Sequence, residues 1–272
     1  GLIKSIRELK GKYNIVAVDS DPLAAGLFLA DINLVIPPTK SLNNPFDYIK
    51  NIILKYQIGF ILPNSESELE LFSKYQKSLR NLGVKIWISS PFTVKLCNNK
   101  FKFWEKLHNE FCMPDIYSNV FIKPDEGAGS RGTRLIEPPI GNHIWEYLPG
   151  NEYTVDVFCD NNNISLGTIV RKRNGIKAGI SVRGSVLRHD YLERESERLC
   201  KYLNIKGPCN IQWKEDKHGT PKLIECNPRL GGGTYFSTLA GVNPAQIYLE
   251  NIKVKQYPNE IQVTRYFEEI VL

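Results

Sequence analysis

Hydrophobic and polar residues follow two different periods along the first third of the chain. Helical spacing of apolar residues predicts three helices, at positions 2–9, 46–56 and 69–82. Short apolar runs between them predict four strands, at positions 13–18, 31–37, 60–63 and 84–89. Strands that alternate with helices are typical of a parallel sheet covered by helices on both faces. We therefore expect a Rossmann-like α/β domain over residues 1–90.

Beyond residue 90 the pattern predicts fewer helices and more strands. Helical spacing marks positions 91–107, 191–203 and 244–251. Runs of β-forming residues predict strands at 144–148, 152–159, 164–171, 210–214 and 222–226. We expect the strand that begins at Ile164 to end at the basic residues 171–173, before a loop at 174–179. Turn signals between most of these strands predict hairpins, and therefore an α+β architecture.

A glycine-rich loop between two predicted strands is the first candidate for chemistry. The stretch 121–136 begins and ends with β-forming residues, and its glycines allow backbone N–H groups to approach an anion closely. Lys123 adds a point charge that suits a phosphate. No G-x-x-x-x-G-K-[ST] sequence occurs, so this is not a P-loop. An ordinary hairpin turn is the alternative. The candidate anion-binding residues are Lys123, Gly127, Gly129, Ser130 and Gly132.

A second candidate site lies on a predicted hairpin near the carboxyl-terminal third of the chain. Glu225 and Asn227 are two residues apart, so on an extended strand their side chains point to one face. Folding the hairpin near His218 brings Gln212 opposite Glu225. One carboxylate and two amide oxygens then share a surface, and such oxygen ligands suit Mg²⁺. A polar sheet face without a metal is the alternative.

Together these stretches resemble the ATP-grasp superfamily, most closely the carbamoyl phosphate synthetase large chain and its carboxylate–amine ligase-like relatives. The matching pieces occur in the family's order: Asn99-Lys100, Lys123-Pro124 with the glycine loop, residues 146–153, residues 210–212 and residues 225–229. The resemblance implies a two-lobed ATP-grasp fold behind the Rossmann-like domain. The expected units are a pre-ATP-grasp domain (1–90), a lid subdomain with the glycine-rich loop (91–145) and a central subdomain with the metal site (146–272).

The resemblance also implies a role for each candidate residue. The ATP phosphates would meet Lys100, Lys123, Gly127, Gly129, Ser130 and Gly132. Adenine would lie against Glu146 and Leu148, and the ribose hydroxyls would donate to Glu152. Mg²⁺ or Mn²⁺ would be held by Gln212, Glu225 and Asn227. The residues expected to act on the transferring groups are Arg229, Lys123 and Arg173.

The residues by themselves are also compatible with plainer roles at several of these positions. Lys100 is one of several lysines on its predicted helix and could be a solvated side chain. Arg173 could belong to a solvated basic turn, and Glu146 could be a surface residue of its strand. The chain also departs from the family's pattern, because only six residues, 115–120, separate Met113-Pro114 from the predicted strand before Lys123.

The implied reaction is ATP-dependent ligation of a carboxylate to an amine through an acyl phosphate. The loop at 127–132 would close over that intermediate and keep water away. Two alternatives remain open at this point. One is phosphorylation of bicarbonate, as in carbamoyl phosphate synthetase or biotin carboxylase, and the other is ATP binding without catalysis.

Polar residues that follow the amino-terminal strands are candidates for the acceptor substrate. Asn64, Ser65 and Glu66 could face that substrate, although Ser65 could equally cap a helix. Asp19 and Asp21 could contact a ribose, but strand-end capping is favoured because no glycine fingerprint precedes them. The glycine loop at 230–234 would present backbone amides to the acceptor.

Composition narrows the class of protein further. The chain has 272 residues, 42% of them hydrophobic, and a net charge of +6. This modest positive charge suits small anionic ligands, and no basic run with interleaved aromatics predicts nucleic-acid binding. No apolar run reaches the ~18 residues of a membrane span, and no signal peptide is expected. Six scattered cysteines predict reduced thiols in the cytoplasm and no zinc site. The expected partners are small carboxylate and amine substrates, with a homodimer as the candidate assembly.

Overall fold

The computed structural model of the protein describes residues 1–122, 124, 133–177, 180–254 and 260–266, without the side chains of Phe121 and Ile180. The amino-terminal part alternates helices with parallel strands, and the rest is built around an antiparallel sheet. The expected fold class, α/β followed by α+β, is confirmed. Across the described ranges, no helix has the length and apolarity that crossing a membrane requires.

The amino-terminal strands pair in parallel, as the alternating pattern predicts. Strand β1 (Val16–Asp19) pairs with β2 (Ile32–Val35), and β3 (Phe60–Ile61) pairs with β4 (Lys85–Ile86). The helices of this part are α1 (Leu2–Arg7), α2 (Ala25–Phe28), α3 (Pro45–Tyr56), α4 (Glu66–Lys74) and α5 (Gln76–Asn81), with a 3-10 turn at Thr39–Ser41. Parallel partners end at the same edge, so the segments that follow β1 and β2 emerge side by side.

A capping box fixes the start of α4. The Ser65 hydroxyl accepts a hydrogen bond from the Glu68 N–H, and the Glu68 carboxylate accepts one from the Ser65 N–H. Ser65 therefore caps a helix, which was one of its two expected roles. The predicted helix at 69–82 is two helices, α4 and α5, because the backbone leaves helical geometry at Tyr75.

The predicted helix at 91–107 is also two helices. They are α6 (Pro91–Cys97) and α7 (Lys100–Leu107). The side chain of Asn99 accepts a hydrogen bond from the Lys102 N–H and so caps a new helix inside the predicted one. As a result, Lys100 stands in the first turn of α7 rather than in the middle of a longer helix.

Two small antiparallel pairs follow these helices. Strand β5 (Ile116–Tyr117) pairs with β8 (Ile144–Trp145), and β6 (Val120–Ile122) pairs with β7 (Arg134–Ile136). The β6–β7 pair confirms strands on both sides of the glycine-rich stretch. Strand β8 is shorter than the predicted 144–148, because its partner β5 supplies only two residues to the ladder.

Within the described ranges, six antiparallel strands form the central sheet. In spatial order they are β13 (Pro221–Asn227), β12 (Gly207–Glu215), β9 (Glu152–Cys159), β10 (Ser165–Lys177), β11 (Ile180–Leu187) and β14 (Ile261–Thr264). The remaining helices of the described chain are α8 (Asp190–Tyr202), α9 (Tyr235–Leu239) and α10 (Pro244–Glu250). Helix α8 is packed into the main core through Leu192 and Leu199, and Trp213 Nε1 donates to Ser196 Oγ of α8 at 2.9 Å.

The loop expected at 174–179 is wrong for its first four residues, which continue strand β10. The cause is strand β11, whose backbone supplies hydrogen-bond partners that the local sequence does not reveal. Arg173 pairs with Gly184 and Gly175 pairs with Arg183, so Asn174 is an extra residue absorbed as a bulge. An Asn-Gly pair that resembles a turn is therefore a bulge inside a long strand.

A buried ion pair joins β9 to β10 beneath the loop at 230–234. The Asp156 carboxylate accepts hydrogen bonds from Arg171 Nε at 2.8 Å and Nη2 at 2.9 Å, and from Asn210 Nδ2 at 2.7 Å. The two charged side chains are only 2% and 3% exposed. A Cβ atom on Gly233 would lie 2.0 Å from Arg171 Nη1, and one on Gly231 would lie 2.3 Å from Asn210 Nδ2. The loop therefore lies directly on this polar group and requires glycine at both positions.

Replacing Arg171 with methionine should destabilise the protein strongly, because it leaves the Asp156 carboxylate buried without its cation. We expect the free energy of unfolding to fall by about 3–5 kcal/mol, measured by urea denaturation. Arg194→Met is the matched control, because the Arg194 side chain is exposed in its pair with Glu195, and its effect should stay below about 1 kcal/mol. Equal losses in the two variants would contradict a structural role for the buried pair.

Candidate active site

The candidate metal ligands lie on one face of the β12–β13 hairpin. Gln212 is directly opposite Glu225 in the antiparallel register, so their side chains share a face. Cys226 is buried with 1% exposure, so its neighbours Glu225 and Asn227 point the other way. Asn227 Nδ2 donates to Glu225 Oε1 at 2.9 Å. The hairpin thus brings together one carboxylate and two carboxamides, as the sequence predicts.

Lys100 projects from α7 onto this face and forms an ion pair with Glu225. Burial would raise the pKa of Glu225, but hydrogen bonds from Lys100 and Asn227 and the charge of Arg229 hold this pKa below its ordinary value. Glu225 is therefore ionised at neutral pH. The structure brings Lys100 to the predicted metal ligands, although its side chain remains 65% exposed.

The chemistry of these three side chains fits a hard divalent cation. Because the side-chain Nδ2 of Asn227 donates to Glu225, the side-chain oxygen Oδ1 of Asn227 is left as an acceptor for a cation. Within the described ranges, no three His, Cys, Asp or Glu side chains converge to hold a metal. One carboxylate with two amide oxygens suits Mg²⁺, which usually takes its other ligands from water and phosphate.

Glu146 lies at the end of β8 and is tied to two neighbouring segments. Its Oε2 atom accepts a hydrogen bond from Lys222 Nζ at 2.6 Å and one from the Asp115 N–H at 3.1 Å. Burial opposes ionisation of Glu146, yet these hydrogen bonds lower its pKa overall. Leu148, two residues later, is buried, and no backbone hydrogen bond within the described chain uses its N–H. Among the described residues, this N–H is therefore a hydrogen-bond donor without a backbone partner.

Glu152 and Arg173, which the sequence assigns to different ligands, contact each other. Arg173 Nη1 forms an ion pair with Glu152, and Arg173 Nε donates to Ser181 Oγ at 3.0 Å. Lys214 Nζ lies 3.9 Å from the same carboxylate. Two cations thus converge on Glu152, and Arg173 is held beside the predicted ribose position rather than in a solvated turn.

Arg229, two residues beyond the candidate metal ligand Asn227, lines a cleft of about 650 Å³. Its side chain donates to the Leu230 carbonyl at 3.2 Å. The opposite wall comes from the amino-terminal part, at or just after the carboxyl ends of three strands. These lining segments are residues 18–20 at the carboxyl end of β1, residues 36–40 after β2 and residues 64–68 after β3. Open α/β sheets bind ligands outside the carboxyl ends of their strands, so the cleft has the position of a substrate site.

The sequence reasoning had singled out some residues of this cleft and missed others. Asn64, Ser65 and Glu66 line it, as expected. Asp19 also lines it, while its Oδ1 accepts from the Asp21 N–H at 3.0 Å, so the favoured capping role is confirmed. Lys40 was missed. The available signal was its place directly after a predicted strand, among residues that end at the same sheet edge.

Glu215 is a second residue that the sequence reasoning missed. Its carboxylate accepts hydrogen bonds from Tyr153 Oη at 2.9 Å and from Asn151 Nδ2 at 2.8 Å, and its carbonyl accepts one from the Gly150 N–H at 3.0 Å. Burial together with the Glu215 carboxylate raises the pKa of Tyr153 to about 12. Glu215 therefore fixes the turn between the Glu146–Leu148 segment and β9.

Several predicted phosphate-binding residues lie outside the described residues. They are Lys123, Gly127, Gly129, Ser130 and Gly132. The strands on either side, β6 and β7, are described, and their register pairs Val120 with Ile136. The roles expected of the loop residues stay predictions.

Family models match two successive parts of the chain. One, described as the PylC-like N-terminal domain, matches residues 2–87, and the other, described as ATP-grasp in the biosynthetic pathway with Ter operon, matches residues 143–269. The carboxyl-terminal part of the chain therefore matches an ATP-grasp family model. The resemblance found in the sequence is thereby confirmed.

Solved structures with the ATP-grasp fold are similar over nearly the whole chain. Biotin carboxylase from Campylobacter jejuni, in a complex with β-γ-ATP, matches with a TM-score of 0.64 and 16% identity over 94% of this chain and 69% of its own. The biotin carboxylase domain of Hydrogenobacter thermophilus 2-oxoglutarate carboxylase is a dimer with MgADP, ADP and bicarbonate. It matches with a TM-score of 0.64 and 14% identity over 94% of this chain and 68% of its own. L-amino acid ligase from Bacillus licheniformis matches with a TM-score of 0.60 and 16% identity over 92% of this chain and 70% of its own. At these identities the likeness establishes the fold.

Replacing Glu215 with glutamine should lower the pKa of Tyr153 from about 12 toward its ordinary value, because the substitution removes a negative charge and leaves burial unchanged. The measurement is a carbon-13 NMR titration of labelled tyrosines, assigned with Tyr153→Phe. Glu8→Gln is the matched control, since Glu8 accepts from Tyr235 Oη at 3.0 Å and should affect only that residue. An unchanged pKa of Tyr153 in Glu215→Gln would show that Glu215 does not raise this pKa.

Proposed function

We propose that this ATP-grasp protein is a ligase that joins a carboxylate to an amine through an acyl phosphate, using ATP and Mg²⁺. The observation that carries the proposal is the continuous face from the Gln212, Glu225 and Asn227 set to Arg229. Lys100 forms an ion pair with Glu225 of this face, and Arg229 lines the substrate-sized cleft. Nucleotide phosphates and a substrate carboxylate could therefore meet at a single place.

The ATP would lie along the edge of the central sheet. The adenine edge would accept from the Leu148 N–H, and its exocyclic amine would donate to the Glu146 side chain or backbone. Glu152 would accept from the ribose hydroxyls, and its contacts with the cations Arg173 and Lys214 hold this carboxylate in place. A carboxylate suits two hydroxyl donors, because in its ionised form it only accepts hydrogen bonds.

The phosphates would reach the hairpin, where Gln212, Glu225 and Asn227 would hold Mg²⁺. When bound, Mg²⁺ offsets negative charge on the β- and γ-phosphate oxygens. Lys100 is placed to do the same through its ammonium group, and Lys123 and the glycine loop are proposed to complete this clamp. Because phosphoryl transfer needs little covalent help, positioning and charge are the main contributions of these residues.

Two successive displacements make up the proposed reaction. A carboxylate oxygen of the first substrate attacks the γ-phosphorus, the bond to the β-phosphate oxygen breaks, and ADP leaves. The nitrogen of a neutral amine then attacks the acyl carbon, inorganic phosphate leaves, and the nitrogen loses its extra proton. Arg229 is placed to bind the carboxylate before transfer and the phosphate oxygens afterwards, because its guanidinium offers paired donors.

The cleft at Arg229 favours this reaction over phosphorylation of bicarbonate. Its volume of about 650 Å³ is far larger than a bicarbonate ion needs and lies in the range typical of small-molecule sites. Its walls carry hydroxyl, carboxamide and charged groups, which can orient an organic substrate. Binding without catalysis is also disfavoured, because the proposed metal ligands are all in place. The pKa of Glu225 is lowered, so its carboxylate is ionised, and the carboxamide of Asn227 lies beside it.

Glu225→Ala should abolish turnover while leaving the fold intact, because this residue supplies the only carboxylate of the proposed metal set. We expect ADP release to fall by about a thousandfold or more. Thermal unfolding should remain close to that of the unsubstituted protein. Glu105→Ala, at an exposed position of α7, is the matched control and should keep full activity. A fully active Glu225→Ala protein would refute the assignment.

The three possible activities differ in what ADP release requires. ADP release should be measured across pairs of carboxylic acids and amines, with Mg-ATP present and with bicarbonate added or removed. Turnover that needs both an acid and an amine supports the ligase. Turnover that needs bicarbonate instead would replace it with the phosphorylation alternative, and tight Mg-ATP binding without any turnover would leave a binding protein.

A further inference from the structure

A second cavity, of about 410 Å³, is lined by residues of β3 and β4 and is separate from the Arg229 cleft. Phe60, the first residue of β3, lines this cavity, whereas Asn64, just beyond the end of β3, lines the cleft. The two cavities share no lining residue. One wall of the second cavity belongs to the amino-terminal part, and the other contains Asn161, Tyr248 and Asn251 from the central part.

The charged groups that line this second cavity are positive wherever the structure describes the chain. Arg80 and Lys85 line it, and no described Asp or Glu does. Within the described chain neither cation has an ion-pair partner, and the carboxamides of Asn161 and Asn251 make no side-chain hydrogen bond. The cavity therefore offers several hydrogen-bond donors and two positive charges that the protein itself does not satisfy.

The carboxylates nearest in sequence to the cavity are engaged elsewhere. Asp160, beside Asn161, uses Oδ1 to accept from the backbone N–H groups of residues 162 and 164 at 2.8 and 2.7 Å. Glu250, beside Asn251, accepts from Lys12 Nζ at 2.6 Å and from Gln246 Nε2 at 2.9 Å. Neither carboxylate is placed to neutralise Arg80 or Lys85.

Aromatic rings complete the lining. Lys85 Nζ lies 5.4 Å from the centre of the Phe60 ring, so the ammonium group is held over an aromatic face. The Trp87 ring meets the Tyr248 ring edge-on, with centroids 4.9 Å apart. The Trp87 indole N–H has no hydrogen-bond partner in the described part of the chain. Flat apolar surface and unsatisfied donors thus occur side by side.

We propose that this cavity binds a small anion that carries a flat ring, of the aryl phosphate or aryl carboxylate class. The anionic group would be held by Arg80 and Lys85, and the ring would pack against Phe60 and Trp87. The volume suits such a ligand. Because the cavity is lined by both parts of the chain and is separate from the Arg229 cleft, its ligand can be bound together with Mg-ATP.

Pyridoxal 5′-phosphate is a suitable probe, because it joins an aryl phosphate to an aldehyde. The Lys85 amine attacks the aldehyde carbon, water leaves, and added borohydride delivers hydride to the imine carbon, giving a stable secondary amine. The full chain is labelled over a range of probe concentrations with saturating Mg-ATP, which protects the nucleotide site. Peptide mapping by mass spectrometry then gives the extent of labelling at each lysine.

Lys55 is the matched control, because its ammonium also lies over an aromatic ring, 5.2 Å from the centre of Tyr56, but outside the cavity. Lys85 should reach half-maximal labelling at a probe concentration about tenfold lower than Lys55, as expected for one added charge-assisted contact. Arg80→Gln should remove this advantage and Arg80→Lys should retain most of it. Excess phenyl phosphate should suppress labelling of Lys85 alone. The proposal would be overturned if Lys85 and Lys55 were half-labelled at the same probe concentration. It would also be overturned if neither Arg80→Gln nor phenyl phosphate changed the labelling of Lys85.

Discussion

The pairing register of β12 and β13 is the constraint on which the candidate site depends. A slip of one residue would turn Glu225 into the core and bring Cys226 to the surface. Ile224 is an extra residue that forms a bulge in β13, between Leu223 and Glu225. It allows Leu223 to meet Trp213 in the core, where both are fully buried, while Glu225 meets Gln212 on the open face. Apolar burial on one face therefore positions polar oxygens on the other.

The buried Asp156–Arg171 pair extends this control to the loop after Arg229. Asp156 binds Asn210, which stands two residues before Gln212 on the same strand. Arg171 lies beneath Gly233, where a side chain would collide with the guanidinium. A buried ion pair is weak as a source of stability, because desolvation offsets its attraction. Its role here is geometric. Through the Asp156 carboxylate, it fixes both β12, the strand that carries Gln212, and the loop after Arg229.

The sequence predicted the elements whose signals are local. Alternation gave the bounds of strand β9 at residues 152–159, and the spacing of Glu225 and Asn227 predicted their shared face. Contacts between distant strands were beyond its reach. Asn174 followed by glycine resembles a turn, and only the backbone of β11 makes it a bulge. Likewise, nothing near Arg173 in the sequence indicates Glu152, because that ion pair depends on how β9 and β10 are registered in space.

The charges of the Arg229 cleft bear on how the proposed reaction would keep ATP and substrate apart. Arg229 and Lys40 attract anions to the cleft, whereas Asp19, Glu66 and Glu68 bring negative charge to its amino-terminal wall. A polyphosphate carries several negative charges, so the three carboxylates on that wall would oppose its entry more than they oppose a substrate with a single carboxylate. Together with Lys100 beside Glu225, this arrangement would favour the phosphates at the hairpin and leave the cleft to the organic substrate of the proposed reaction. The amino-terminal part would thus act through electrostatics as well as shape.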